Sequence, residues 1–236
     1  MVRVQDLMEL LSRITALFLM VFLSPFFFII GISSWAIQGL PILYKQSRVG
    51  YDYHIFDLYK FRSMRGNDGK MTITAYNDNR ITLWGRVLRA SKLDELPQLW
   101  NIVIGEMRFI GPRPEVIEHF NKDDFSFLKI VKPGLTDFSS ILLRNETKIL
   151  ERRGGVKKYP ELLKFKLQLG HLYANQKSFS LDLKLLLLTI VSLFLPRMAI
   201  SAVKKYFITK QMPEMVNILE KWIPSKSELN QSAGNL

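Results

Sequence analysis

The sequence predicts an α+β fold, with an N-terminal helix-break-helix that enters a membrane followed by a compact mixed α/β cytosolic domain bearing interfacial amphipathic helices. Three observations predict it. Residues 14–37 carry no charge and are interrupted by Ser24-Pro25; residues 41–64 hold two short β-favouring runs; the remainder alternates helical apolar spacing with Gly- and Pro-bearing turns. The chain divides accordingly into 1–40 for the membrane hairpin, 41–195 for the central domain and 196–236 for a basic and polar C-terminal extension.

The stretch 14–37, ITALFLMVFLSPFFFIIGISSWAI, exceeds the roughly 20 apolar residues that a helix needs to cross the hydrocarbon core. Pro25 near its middle removes a backbone donor and clashes with the preceding turn, so the helix kinks or breaks there. Arg3 and Arg13 precede the segment and Lys45 and Arg48 follow it, so the positive-inside bias favours no crossing. A re-entrant hairpin with both ends cytoplasmic satisfies length, break and charge together. A proline-kinked transmembrane anchor is the competing reading, because spanning helices tolerate proline. A cleavable signal peptide fits less well, since the run is long and lacks a small-x-small site.

After it, 41–50 and 54–64 read as two strands joined by a Gly-Tyr-Asp turn, with Ile42, Tyr44, Ile55, Phe56, Leu58, Tyr59 and Phe61 as their β-favouring residues. The polar run 66–79 reads as a surface loop. Helical spacing covers 81–90 and 95–104, with Ser91 or Asp94 able to cap the second and Pro97 tolerated in its first turn. Gly111-Pro112-Arg113-Pro114 can continue neither a helix nor a central strand, so it is a stiff turn that fixes where Arg113 points. Lys132-Pro133-Gly134 is another turn. A helix is expected over 161–173, with Leu162, Phe165 and Leu169 on one face and lysines elsewhere. The apolar run 181–195 is short for a span and reads either as a helix at the membrane surface, with Arg197, Lys204 and Lys205 near headgroups, or as a buried core helix. A short helix over 214–222 precedes a polar, disordered end.

The 33 basic against 21 acidic side chains give a net charge of +12, which suits nucleic acid, anionic lipid or a small polyanion alike. The absence of cysteine excludes disulfides, thiolate metal sites and a cysteine nucleophile. Sharper information lies in 86–115, where Asp94-Glu95 sits among Arg86, Arg89, Lys92, Arg108 and Arg113. A phosphate-bearing substrate needs such cations. A carboxylate among them is expected to have a lowered pKa, free to attack phosphorus or to hold a divalent metal. The plain alternative is an acidic pair in the first turn of a helix, favoured by the dipole. A nucleic-acid-recruiting module would use the charge but gives no reason for Asp-Glu among arginines or for Gly-Pro-Arg-Pro, so no nucleic-acid partner is expected.

The run Arg89-x-Ser91-x-x-Asp94-Glu95-Leu96-Pro97-Gln98, then Gly105-Glu106-Met107, then Gly111-Pro112-Arg113-Pro114, resembles the signature of the bacterial sugar transferase family, the monotopic phosphoglycosyl transferases. Tyr59-Lys60-Phe61-Arg62-Ser63-Met64, Lys132-Pro133-Gly134-Leu135-Thr136 and Leu181-Asp182-Leu183-Lys184 extend the likeness, which covers about residues 10 to 195 in order. The chain resembles the small members of that family. The resemblance implies transfer of a sugar 1-phosphate from a UDP-sugar to undecaprenyl phosphate with release of UMP. It places this step at the start of bacterial glycoconjugate assembly, on the cytoplasmic face of the inner membrane, and it favours the re-entrant hairpin broken at Ser24 and Pro25.

By matching motifs, Asp94 would be the nucleophile that forms a phosphosugar-aspartyl intermediate and Glu95 would hold Mg²⁺. Lys60, Arg62, Arg89, Pro112, Arg113 and Arg144 would bind substrate. Partners would be the UDP-sugar, undecaprenyl phosphate and the bilayer, with a homo-oligomer left open. Two departures from the family pattern stand out. Where relatives commonly read Pro-Gly-x-Thr-Gly and then a tryptophan and Gln-Val-x-Gly-Arg, this chain has Asp137-Phe138-Ser139-Ser140-Ile141-Leu142-Leu143-Arg144, which bears on nucleotide or sugar recognition. An Arg144 pairing with Asp137 or Glu146 fits the same letters. Where many relatives carry Asp-x-Tyr-Tyr, this chain has Gly170-His171-Leu172-Tyr173. These departures keep open an inactive family member that acts as a membrane scaffold in an assembly complex.

Overall fold

The computed structural model describes residues 4–66 and 74–223, a mixed helix and sheet architecture that is mostly helical. The polar end beyond 223 and the middle of the 66–79 loop lie outside the described residues. Helices α1 (Val4–Phe22) and α2 (Ser24–Gln38) meet at Leu23 with a bend of 61°. The break falls where Ser24-Pro25 predicts it, with Pro25 in the first turn of α2, where no helical partner exists for its missing N–H. Among the described residues no single helix is long and apolar enough to cross a membrane, and only this bent pair passes together.

The pair is anchored to the domain by one face. Ala16 is buried with Phe56, Leu58, Leu99, Ile102 and Met107, and Ile30 with Phe61 and Leu88. Glu9 of α1 adds charge pairs to Arg13, to Arg108 and, closest, to Lys132. The opposite face leaves Phe18, Val21, Phe22, Phe26, Phe28 and Ile29 exposed.

Strands β1 (Leu43–Val49) and β2 (Ile55–Phe61) form the expected antiparallel hairpin, in register from Leu43↔Phe61 to Val49↔Ile55. Helix α3 (Leu83–Ser91) starts where Thr82 Oγ1 accepts from Gly85 N at 2.8 Å. Gly85 is required there, since a Cβ would lie 1.9 Å from the Ser63 carbonyl oxygen. The second expected helix starts late, as α4 (Gln98–Val103), and neither Ser91 nor Asp94 caps it. Lys92 enters the left-handed region and ends α3, a single 3₁₀ turn spans Leu93–Glu95, and Ser91 Oγ donates back to Val87 and Leu88. Pro97 then stands at the entrance of α4.

Strands β3 (Arg108–Ile110) and β4 (Gly134–Thr136) pair in parallel, which brings the Gly-Pro-Arg-Pro turn beside Lys132-Pro133-Gly134. A Cβ on Gly134 would lie 2.1 Å from Gly111 N, so the two turns touch only because both residues are glycine. Helices α5 (Phe138–Leu142), α6 (Glu146–Arg152) and α7 (Tyr159–Gln176) follow, then α8 (Phe179–Phe194), α9 (Pro196–Thr209) and α10 (Pro213–Trp222). Leu162, Phe165 and Leu169 of α7 are buried as their spacing predicts. The main core also draws Ala199, Val203, Phe207, Leu219 and Trp222 from α9 and α10, so the stretch after 195 contributes to the fold and not only to its surface.

The core reading of 181–195 holds for one side of α8. Leu181 and Leu185 are buried in the core, whereas Phe179, Leu183, Leu187, Ile190 and Phe194 form an exposed apolar face.

Candidate active site

The 3₁₀ turn after α3, the end of β2 and the Gly-Pro-Arg-Pro turn converge on a cleft of about 810 Å³. Glu95 lies at its centre, held in a two-pronged pair by Arg113. Nη2 of Arg113 donates to Oε1 at 2.6 Å and Nη1 to Oε2 at 3.3 Å. Lys92 Nζ is 3.5 Å and Lys60 Nζ 3.8 Å from the same Oε1. Burial pushes the Glu95 carboxyl up, but Arg113, Lys92 and Lys60 together outweigh it and hold Glu95 well below the usual carboxylate range. Lys60 behaves differently. Burial depresses it to about 7; the Glu95 charge pulls it up, and Arg113 and Arg48 repel a further cation and push it down.

Asp94 is 6% exposed, and its Oδ1 has no hydrogen-bond partner among the described residues. Here the expectation of a lowered pKa is corrected. Burial, and then the neighbouring Glu95 charge, raise Asp94 above the ordinary aspartate value, and Lys60, Lys92 and Arg89 offset this only in part. The sequence places cations nearby but cannot show that they crowd onto Glu95 and leave its neighbour buried without a partner.

Of the other expected cations, Arg89 and Arg144 line the cleft. Arg89 Nη1 rests 3.7 Å from Met64 Sδ, and Arg144 Nη2 donates to the Ala90 carbonyl at 3.1 Å. Arg62 lines the cleft too, but its guanidinium is committed to main-chain carbonyls, donating to Leu40 at 2.9 Å, to Gly39 at 2.7 Å and to Gln38. Those bonds close the end of α2. Pro112 is buried behind the wall formed by Arg113 and Pro114, and its carbonyl accepts from Gly134 N at 3.0 Å. That hydrogen bond joins the Gly-Pro-Arg-Pro turn to Gly134.

Asp137, the first residue of the divergent stretch, pairs with neither Arg144 nor solvent. Its carboxylate caps α5, accepting from Ser140 N at 2.7 Å and from the Ser139 and Ser140 hydroxyls at 2.8 and 2.7 Å. Its Oδ2 also lies 3.4 Å from Arg113 N, so Asp137 braces the cationic turn from behind. Tyr173, in the second divergent stretch, donates to Asp182 Oδ1 at 2.7 Å and to the Ile110 carbonyl at 3.2 Å.

Sequence reasoning missed a second charge cluster on the same cleft. Glu115 Oε1 accepts from Arg48 Nη1 at 3.5 Å and from Val116 N at 3.1 Å; its Oε2 accepts from Tyr159 OH and Lys166 Nζ, both at 3.0 Å. Lys166 also pairs with Glu146 at 3.6 Å. Burial pushes Glu115 up, yet Lys166 and Arg48 prevail and bring it down to about 2. A signal was present. Tyr159, Leu162, Lys166, Leu169 and Tyr173 form a single stripe of α7, and one lysine in that stripe must be buried with a partner.

Mg²⁺ is commonly held by one or two carboxylates, with phosphate oxygens and water completing its shell. Asp94, with a buried unpartnered oxygen, offers one such ligand, whereas both oxygens of Glu95 already accept from Arg113, and no group of three histidine or acidic side chains that could hold a metal stands among the described residues. An ion held at Glu95, as the motif match implies, would take the place of Arg113 on one of these oxygens.

Residues 4–196 match the family described as bacterial sugar transferase. The UDP-glucose:undecaprenyl-phosphate glucose-1-phosphate transferase of Klebsiella pneumoniae is 31% identical over 189 residues, 77% of this chain and 38% of that protein. The undecaprenyl-phosphate galactose phosphotransferase of Salmonella typhimurium is 35% identical over 128 residues, 46% of this chain and 27% of that protein. An uncharacterized sugar transferase of Bacillus subtilis is 32% identical over 154 residues, 64% of this chain and 69% of its own length. The chain thus spans well under half of the first two relatives. With the match running through the bent helix pair, the Asp94-Glu95 turn, the Arg113 turn and α8, the chain belongs to the bacterial sugar transferase family.

Proposed function

We propose that the protein transfers a sugar 1-phosphate from a UDP-sugar to undecaprenyl phosphate, releasing UMP and forming a polyprenyl diphosphate sugar. The observation that carries this reading is Asp94, a buried acid with an unpartnered oxygen at the cationic floor of a cleft. An oxygen of the Asp94 carboxylate attacks the phosphorus that bears the sugar. The bond from that phosphorus to the UMP oxygen breaks, and the electron pair leaves with UMP. A phosphate oxygen of the acceptor then attacks the same phosphorus, the bond to Asp94 breaks, and the carboxylate is restored. Arg113, Lys60 and Arg89 stabilise charge that gathers on the phosphoryl oxygens, the largest source of rate in phosphoryl transfer. A Mg²⁺ ion at Glu95, when bound, supplies further neutralisation of phosphate charge.

The bent α1–α2 pair, with apolar residues exposed on the side away from the domain, supports a re-entrant anchor on the cytoplasmic face of the inner membrane. One substrate is soluble and the other lipid-embedded, so a site beside such an anchor reaches both. With no native cysteine to interfere, cysteines at Val4 and Ser47 should label from one side only, and labelling from opposite sides would establish a span. The activity itself is tested by UMP release from a panel of UDP-sugars with undecaprenyl phosphate and Mg²⁺. No release from any member of the panel, by folded protein, would favour the scaffold reading.

A further inference from the structure

We infer that the cleft-facing side of α8 is the seat of the acceptor lipid's chain, with Leu186 and Leu193 as the residues that select for it. The inference rests on the reading that the acceptor is a polyprenyl phosphate, and it names where the apolar part of that substrate lies.

Leu186, Thr189 and Leu193 stand on one stripe of α8, two helical turns from end to end, and all three line the cleft that contains Lys60, Asp94 and Arg113. Leu186 is 39% and Leu193 41% exposed, so they form its rim and not its floor. Next to them on the outer side, Leu187 is 54% and Phe194 78% exposed, and neither lines the cleft. The apolar surface of α8 therefore runs without a charged interruption from the outside of the molecule to the mouth of a cationic cleft. The hydroxyls in this wall are occupied, Thr189 Oγ1 donating to the Leu185 carbonyl at 2.7 Å and lying 2.7 Å from Thr136 Oγ1. Ser192 Oγ donates to the Thr189 carbonyl at 2.7 Å. The Thr189–Thr136 contact ties α8 to β4, and together these bonds leave the rim apolar.

A nucleoside diphosphate sugar is polar throughout and gains nothing from two leucines at the mouth. An amphiphile with a single phosphate and a long hydrocarbon chain matches both ends: its phosphate meets Lys60 and Arg113, and its first isoprene units lie over Leu186 and Leu193. A general bilayer contact would involve Leu187 and Phe194 at least as much, which separates the two roles by residue.

The test compares Leu186→Asn/Leu193→Asn with Leu187→Asn/Phe194→Asn in detergent, using undecaprenyl phosphate and a two-isoprene phosphate as acceptors. The cleft pair should raise KM for undecaprenyl phosphate about tenfold or more, equivalent to losing the burial of roughly two methylenes. KM for the UDP-sugar and for the short acceptor should change by less than about twofold, within the few tenths of a kcal/mol expected of exposed substitutions. The outer pair should leave all three constants unchanged and weaken only vesicle binding. The milder Leu186→Ala/Leu193→Ala should show the same ordering if the polar variant folds poorly. Equal losses toward long and short acceptors, or a larger loss from the outer pair, would overturn the assignment. A prenyl phosphate carrying a diazirine on its chain reads binding without turnover. It should label the α8 peptide of the native chain and not that of the cleft pair, so an inactive protein that still labels there would refute the reaction but keep the site.

Discussion

Glu115 and Asp94 are buried acids that line one cleft, and they differ in how their oxygens are used. Both oxygens of Glu115 are engaged, by Arg48 and Val116 N on one side and by Tyr159 and Lys166 on the other. Asp94 leaves Oδ1 buried without a partner, beside a Glu95 that takes the nearest cations for itself. A buried unsatisfied polar atom costs about 1 to 3 kcal/mol, more when charged, so the fold carries a penalty at Asp94 that it avoids at Glu115. The satisfied acid ties β1 and α7 to the end of the Gly-Pro-Arg-Pro turn, and the unsatisfied one is left for a ligand. Charge at the cleft therefore does not separate the two acids; the unmet oxygen of Asp94 does, and the role proposed for Asp94 rests on it.

Exchanging each acid for its amide should separate the two roles most widely. Asp94→Asn should lower turnover by about 1000-fold or more, as expected when a nucleophile is removed, while the thermal midpoint stays or rises because a buried unpartnered charge has gone. Intact-mass measurement with UDP-sugar alone should show a phosphosugar adduct on the native chain and none on Asp94→Asn. Glu115→Gln should do the reverse. It removes the charge shared by Lys166 and Arg48, which keep only Glu146 and the Tyr159 hydroxyl, and Gln46 and the Pro114 carbonyl, so it should cost about 1.5 to 3 kcal/mol of stability and lower the thermal midpoint while the adduct still forms. Substantial turnover in Asp94→Asn, or an unchanged midpoint in Glu115→Gln, would erase the contrast.

A pH profile sharpens the same comparison with smaller effects. Asp94 must be ionised to attack, and its raised pKa moves the acid limb of kcat/KM above the ordinary aspartate value of about 3.9. Lys60 is charged only below about 7, so its help to phosphate fades as pH rises through that value. The result is a bell whose alkaline limb falls near 7. Lys60→Arg should remove the alkaline limb and leave the acid limb in place. Glu115 titrates elsewhere: with its folded pKa brought from 4.5 to about 2, its stabilisation is complete above pH 4.5 and is lost as pH falls toward 2. Melting should accordingly be insensitive to this group across the bell. An alkaline limb that persists in Lys60→Arg would assign it to another residue.

How far these roles could be read in the letters depended on whether local chemistry or long-range packing decides them. Pro25 in the middle of a long apolar run removes a backbone donor by its own local chemistry, so the junction at Leu23 and Ser24 was visible in advance. The β1–β2 hairpin follows from side-chain type and a turn in the same short stretch. Asp94 and Glu95, adjacent and identical in local chemistry, look alike in sequence, and only Arg113 arriving from the next turn tells them apart. The same holds for Arg62, whose task is set by three carbonyls at the end of α2, and for Asp137, whose oxygens are filled by its own helix. Lys166 was legible in principle, as the one charge in a buried stripe, but its partner Glu115 lies across the fold.

Arg144 offers the smallest expected effect and the finest division between recognition and structure. The carboxylates with which the sequence could pair it are otherwise engaged: Asp137 by Ser139, Ser140 and Arg113 N, and Glu146 by Lys166. What remains is one donor on the Ala90 carbonyl at the end of α3 and a guanidinium on the cleft wall. If that guanidinium meets the soluble substrate, Arg144→Ala should raise KM for the UDP-sugar about tenfold, the lower end of what a lost charge-assisted hydrogen bond costs, with KM for undecaprenyl phosphate unchanged. Arg144→Lys should recover part of the loss, since the charge returns without the planar fork. Should the Ala90 contact be its whole purpose, α3 would loosen from the turn before α6. The two KM values would then rise together with a lower thermal midpoint, and lysine would restore neither.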